Sequence, residues 1–97
     1  MRFEGRNEKR VTMAIPVCLL IAEKLLFADQ AMTVNVSPHG ARVVTRRRWQ
    51  PEEEPRLASS SGDLQARAKV VYCEPLTDGN FCIGLQFHLP IVDWQLT

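Results

Sequence analysis

The sequence contains few of the residues that catalysis or metal binding requires. It has two histidines, His39 and His88, and three cysteines, Cys18, Cys73 and Cys82. None of these lies at a zinc-binding spacing or pairs a nucleophile with a base. An odd number of cysteines without a C-x-x-C pair also argues against a disulfide framework. We therefore predict a protein that is not an enzyme, with no catalytic residue, no metal site and no cofactor.

Excess charge and long apolar runs are also missing. The net charge of +1 argues against binding DNA or RNA through a strongly basic surface. The stretch from residue 13 to 28 is apolar, but Pro16, Glu23 and Lys24 interrupt it, and it is too short to span a bilayer. No secretory signal pattern is visible. These observations predict a soluble, cytoplasmic chain without membrane insertion.

What the chain does contain is a repeated strand pattern. Its 97 residues, 45% of them hydrophobic, are enough for one domain with one modest core. Alternation of apolar and polar residues is clearest over residues 64–73 and 81–89, and Thr77-Asp78-Gly79-Asn80 is typical of a turn between them. Five or six short strands without a long helix predict an antiparallel barrel or sandwich.

The first half of the chain is harder to assign. Residues 13–21 alternate as a strand does, and Pro16 requires a sheet edge or a bulge there. We place a hairpin connection at residues 28–30, followed by strands over 31–37 and 41–48. The proline, glutamate and serine content of residues 49–63 leaves their pairing open, with a short strand possible around Arg56-Leu57-Ala58.

The stretch from residue 33 to 44 indicates a hairpin with ordered polar positions. If the strand alternates regularly, Asn35 and Ser37 share one face, while Met32, Val34 and Val36 face the core. The residues that follow, Pro38 and Gly40, suit the second and fourth positions of a type I turn. Such a corner places an amide, a hydroxyl and backbone N–H groups together, which is useful for holding an anion or a base edge.

A second motif precedes this hairpin. Arg6 and Arg10 are separated by three residues, so the chain reads R-x-x-x-R followed by N-x-S-x-x-G at residues 35–40. The two motifs in this order resemble the PilZ family, bacterial domains that bind the second messenger cyclic di-GMP. The resemblance implies a six-stranded antiparallel β-barrel with a flexible N-terminal arm. It also implies a tail over residues 1–5 and a PilZ-like domain over residues 6–97.

The resemblance also implies a binding site for cyclic di-GMP. Its residues are Arg6, Arg10, Asn35, Ser37, Gly40 and Tyr72. The two arginines suit guanine and phosphate, because a guanidinium offers paired N–H donors. Asn35 replaces the aspartate that is commoner in this motif, which keeps an acceptor and removes a negative charge. Tyr72 is an aromatic at a place where the family can stack a guanine.

Each of these residues also has a structural interpretation. The arginines can be solvated charges on a loose tail, and Ser37 can close a turn onto its own backbone. The alternation places Tyr72 with Ala68 and Val70, which leaves core packing as open as stacking. Arg42 and the run at residues 46–48 can either extend a positive field around the ligand or lie at a solvated strand end.

The functional prediction is a receptor domain that binds cyclic di-GMP, orders its N-terminal arm and signals to an unidentified downstream protein. Gly5 adds no further guanidinium before the first motif, so we expect one nucleotide rather than two. One alternative is a PilZ-like adapter that contacts proteins without nucleotide. Another is a small barrel that binds single-stranded nucleic acid, which the near-neutral charge and few aromatics disfavour.

Overall fold

The structure is a computed structural model that describes residues 11–21, 24–60, 64–88 and 94, with the backbone alone for residues 24–28. Seven strands lie in this part of the chain, and no helix does. They are β1 (Val11–Thr12), β2 (Pro16–Ile21), β3 (Lys24–Ser37), β4 (Gly40–Thr45), β5 (Arg56–Ser59), β6 (Gln65–Pro75) and β7 (Phe81–Phe87).

The strands form one antiparallel sheet that closes on itself. Their order is β1-β3-β2-β5-β6-β7-β4, and pairing between β3 and β4 completes the ring. Strands β2 to β7 thus make a closed six-stranded barrel, as the sequence predicts. Closure removes the free edges of an open sheet. The extra strand, β1, continues along β3 beyond the end of β2, where Val11 pairs with Val36.

The core contains the alternate residues of every barrel strand. Among the largest fully buried side chains are Trp49, Leu19, Leu57 and Ile83. Trp49 lies on the segment between β4 and β5, and its indole Nε1 donates a 2.8 Å hydrogen bond to the buried carboxylate of Asp29. The prediction that Trp49 and Trp94 pack in the core is confirmed by their burial.

Several strand boundaries differ from the prediction. The hairpin connection at residues 28–30 is wrong, since β3 begins at Lys24 and runs through them. Asp29 looks like a turn residue in the sequence, but its carboxylate faces inward to pair with Trp49. The fourth strand ends at Thr45, before the arginines. The short strand expected around Leu57 exists as β5, paired with both β2 and β6.

Register shifts interrupt the alternation in β2, between Leu20 and Ile21, and in two strands that carry predicted binding residues. In these two strands, one bulge lies between Thr33 and Asn35 in β3, and the other between Val70 and Tyr72 in β6. A bulge places two residues opposite one, so the face that each following side chain occupies is reversed. Two of the predicted binding residues, Asn35 on β3 and Tyr72 on β6, come directly after such a bulge.

No helix long and apolar enough to cross a bilayer occurs among the described residues.

Candidate functional site

The bulge in β3 turns Asn35 away from the core. Thr33 is buried, so without a bulge Asn35 would face inward as well. Instead, Val34 is the extra residue, and Val36 takes the inward position with 1% of its surface exposed. The expectation that Met32, Val34 and Val36 share a core face is therefore wrong, because Met32 and Val34 are both exposed.

The bulge in β6 does the same for Tyr72. Ala68 and Val70 are fully buried, and unbroken alternation would bury Tyr72 beside them. Val71 is the extra residue and lies exposed, while Cys73 packs against the core in the next inward position. Tyr72 therefore lies on the outer face, half-buried, which overturns its predicted phase with Ala68 and Val70.

These two residues belong to one row across four strands of the outer face. Asn35 on β3 pairs with Arg42 on β4, Arg42 pairs with Gly84 on β7, and Gly84 pairs with Tyr72 on β6. Side chains directly opposite each other on neighbouring strands have Cβ atoms about 5 Å apart. Fold closure thus brings an amide, a guanidinium and an aromatic ring onto one surface.

The aromatic ring lies directly against the glycine. A Cβ atom built on Gly84 would lie 2.2 Å from the ring of Tyr72, so only glycine accommodates the ring in this position. Glycine inside a strand commonly marks such a close approach. Gly84 was not among the predicted site residues, although a glycine within the clearest apolar stripe of the sequence is the signal that could have identified it.

The guanidinium of Arg42 reaches toward the tyrosine across this glycine. The Tyr72 phenol and the Cys82 thiol are the groups that act on it electrostatically. The Coulombic interaction with Tyr72, followed by that with Cys82, raises the pKa of Arg42 above its usual range. Arg42 is itself exposed and is positively charged at neutral pH.

The hairpin corner lies at one end of β3 and β4. Ser37 and Gly40 pair with each other, and Pro38 and His39 form the two-residue turn. Among the described residues, positive φ occurs only at Glu52 and Gly79, so His39 cannot belong to a type II, I′ or II′ turn. Proline at the second position then fits the predicted type I geometry.

Gly40 is required at this corner by space rather than by its backbone angles. An added Cβ would lie 2.6 Å from the backbone oxygen of Leu85 on β7. Ser37 is buried, and its Oγ donates a 3.3 Å hydrogen bond to the Gly40 carbonyl. This hydrogen bond is the contact that a turn-closing role of Ser37 requires.

The N-terminal arginines of the prediction, Arg6 and Arg10, lie outside the described residues. The described chain begins at Val11, which pairs with Val36, and Thr12 pairs with Asn35. The N-terminal segment therefore joins the barrel beside the corner that carries Asn35 and Ser37.

A separate pocket of about 360 Å³ is lined by residues of β2, β3 and β4 together with Arg46, Ser60 and Asn80. It includes none of the predicted site residues. The candidate site is instead the open row from Asn35 to Tyr72, because its polar and aromatic groups are those with recognisable ligand chemistry. No group of three potential metal ligands occurs among the described side chains.

Comparison with known proteins agrees with the motifs. The chain is similar in structure to the Bacillus subtilis inhibitor of motility MotI/DgrA, with a TM-score of 0.71 and 17% sequence identity. The match covers 92% of this chain and 45% of that protein, so the chain spans less than half of its length. At this identity the likeness shows the fold alone. No curated protein sequence matches the chain.

The sequence profile of the PilZ domain matches residues 4–95, which include both arginine and hairpin motifs. PilZ domains are cyclic-di-GMP-binding and adapter domains rather than enzymes. The chain belongs to the PilZ domain family.

Proposed function

We propose that this chain is a receptor domain for cyclic di-GMP. The observation that carries the proposal is the pair of bulges that turns Asn35 and Tyr72 onto one outer face. Bulges commonly re-aim side chains next to binding sites, and each one costs regular pairing. Here the bulges in β3 and β6 turn their following residues onto the same row, although these two strands are distant in sequence.

The ligand has two guanines and two phosphates, and the row offers groups suited to each. An aromatic face stacks on a base, and an asparagine side chain both donates and accepts hydrogen bonds at a base edge. The buried corner at Ser37 and Gly40 supplies hydroxyl and backbone groups next to Asn35. Arg6 and Arg10 complete the site in this proposal, since their paired donors match guanine and phosphate.

The signal arises in this proposal from ordering of the N-terminal arm. The arm precedes Val11, which pairs with β3 beside Asn35 and Ser37, and in this proposal its arginines close over the ligand. A ligand that binds the closed form better than the open form shifts the population toward closure. The closed arm presents a new surface to a downstream protein.

Calorimetric titration of the full chain with cyclic di-GMP tests the proposal. We expect saturable heat with a dissociation constant of about 1 μM or tighter. Arg10→Ala should abolish the heat. Arg56→Ala is the matched control, because Arg56 is an exposed strand arginine on β5, three strands from β4 in either direction round the barrel. A folded wild-type chain that gives no heat would refute the proposal.

A nucleotide-independent adapter is the second candidate function. The observation that favours it is the exposure of the two bulge valines, Val34 at 39% and Val71 at 43% of their surface, beside the row. Apolar side chains exposed on a binding face can contact a protein. An adapter would keep partner binding in Arg10→Ala and lose it in Val34→Ser, whereas a receptor would show the opposite pattern.

A further inference from the structure

Arg42 occupies the centre of the row, between the asparagine and the tyrosine. Its neighbours Ala41 and Val43 are buried, so its own side chain points away from the core. It pairs with Asn35 on one side and with Gly84 on the other. Neither of the sequence motifs that identify the family includes this position.

No described carboxylate neutralises the charge of Arg42. The ion pairs among the described residues join Arg47 to Glu53 and Lys69 to Glu52, and Arg42 takes part in neither. The groups that act on it electrostatically are the Tyr72 phenol and the Cys82 thiol. Its charge is therefore available to an anionic ligand.

Tyr72 lies next to Arg42 in the row, and its position is restricted. Its ring already rests on Gly84, so it cannot move toward β7. Arg42 pairs with that same glycine from the other side, which places its side chain beside the tyrosine on the outer face. A guanidinium has five N–H donors and no acceptor, so donors remain for a ligand.

We propose that Arg42 is a ligand-binding residue that contacts a phosphate of the nucleotide, and that the Tyr72 hydroxyl positions it. This inference rests on the proposed function and adds a third guanidinium from the rigid barrel to the two of the N-terminal arm. Arg42 belongs to the closed barrel itself, where its strand pairs in register with both neighbouring strands.

The test compares Arg42→Gln, Tyr72→Phe and the double variant in cyclic di-GMP titrations at several salt concentrations. Arg42→Gln should weaken binding about tenfold and flatten the salt dependence of the affinity, because one phosphate contact is lost. Tyr72→Phe keeps the ring and removes the hydroxyl, and it should weaken binding about threefold. In the Arg42→Gln background the same change should have almost no effect, since the two residues act together.

Arg56→Gln is the matched control and should change neither the affinity nor its salt dependence. Thermal unfolding of each variant separates a loss of fold from a loss of binding. If Arg42→Gln binds as tightly as wild type with the same salt dependence, this inference is overturned while the proposed function stands. If wild type itself gives no heat, the proposed function fails and this inference fails with it.

Discussion

The indole nitrogen of Trp94 donates a 2.6 Å hydrogen bond to the backbone carbonyl oxygen of Ser37. Trp94 is buried, and its ring centroid lies 5.7 Å from that of Phe87 at the end of β7. Trp94 thus supports the hairpin corner at Ser37, although the two residues are 57 positions apart in sequence. A corner braced in this way keeps its polar groups in place without a ligand.

Trp94→Phe tests this brace. Phenylalanine keeps an aromatic ring in the core but leaves the Ser37 carbonyl without its donor, and an unpaired buried acceptor costs about 1–3 kcal/mol. We expect the free energy of unfolding in urea to fall by that amount and cyclic di-GMP binding to weaken. An unchanged unfolding midpoint would show that the bond contributes nothing to the corner.

Gly84→Ala tests the contact between Gly84 and the ring of Tyr72. The new methyl group overlaps the tyrosine ring, and the ring must move, which should destabilise the fold by about 1–3 kcal/mol. In a Tyr72→Ala background the obstructing ring is absent, so the same substitution should cost less than about 0.5 kcal/mol. Urea unfolding of the four proteins measures this coupling. Equal costs in both backgrounds would contradict the contact.

The sequence predicts well wherever strands alternate without interruption. The β7 stripe, the turn at residues 77–80 and the closing tryptophan follow from local pattern and turn chemistry. The bulges at Val34 and Val71 do not, because a single extra residue leaves the local composition unchanged. Which residue is extra depends on the register with the partner strands β4 and β7, and the pattern within β3 or β6 alone does not specify that register.

The candidate site shows the same division. The N-x-S-x-x-G pattern identifies Asn35, Ser37 and Gly40 directly, and the structure brings them to one corner. Tyr72 is predicted as a site residue because it is aromatic. The sequence does not show which face of the sheet it occupies, and unbroken alternation would bury it. The contact of the Tyr72 ring with Gly84 could not be derived without knowing that β6 pairs with β7 at that register.

Trp49→Phe tests the buried hydrogen bond between Trp49 and Asp29, the residue that the sequence placed in a turn. Loss of the indole N–H leaves the side chain of Asp29 buried without this donor, which costs free energy. We expect the unfolding free energy to fall by about 2–4 kcal/mol, from lost volume and the unpaired acceptor together. Adding Asp29→Asn should recover part of the loss, because a neutral amide is easier to bury. No recovery in the double variant would argue that packing alone explains the loss.

Glu53 connects the segment before β5 to Arg47. Its carboxylate accepts a 2.7 Å hydrogen bond from the Gln50 backbone N–H and lies 3.2 Å from the guanidinium of Arg47, which in turn lies 4.1 Å from the centroid of the Trp49 ring. Burial raises the pKa of Glu53, but the Gln50 bond and Arg47 outweigh it and lower that pKa below 4.5.

The lowered pKa gives a pH-dependent stability with a definite sign. A carboxyl group whose pKa is lower in the folded than in the unfolded state stabilises the fold above its unfolded pKa, and loses that effect as pH falls through its folded pKa. Glu53→Gln should therefore reduce stability at pH 7 by up to about 1 kcal/mol, given its partial exposure. The difference from wild type should shrink below about pH 4, where the wild-type carboxylate itself becomes protonated.

Glu52→Gln, at the neighbouring and far more exposed glutamate, should change stability little at either pH. Urea unfolding at pH 7 and pH 3 measures both variants, and a difference for Glu53→Gln that persists undiminished at pH 3 would show that its charge is not the stabilising feature.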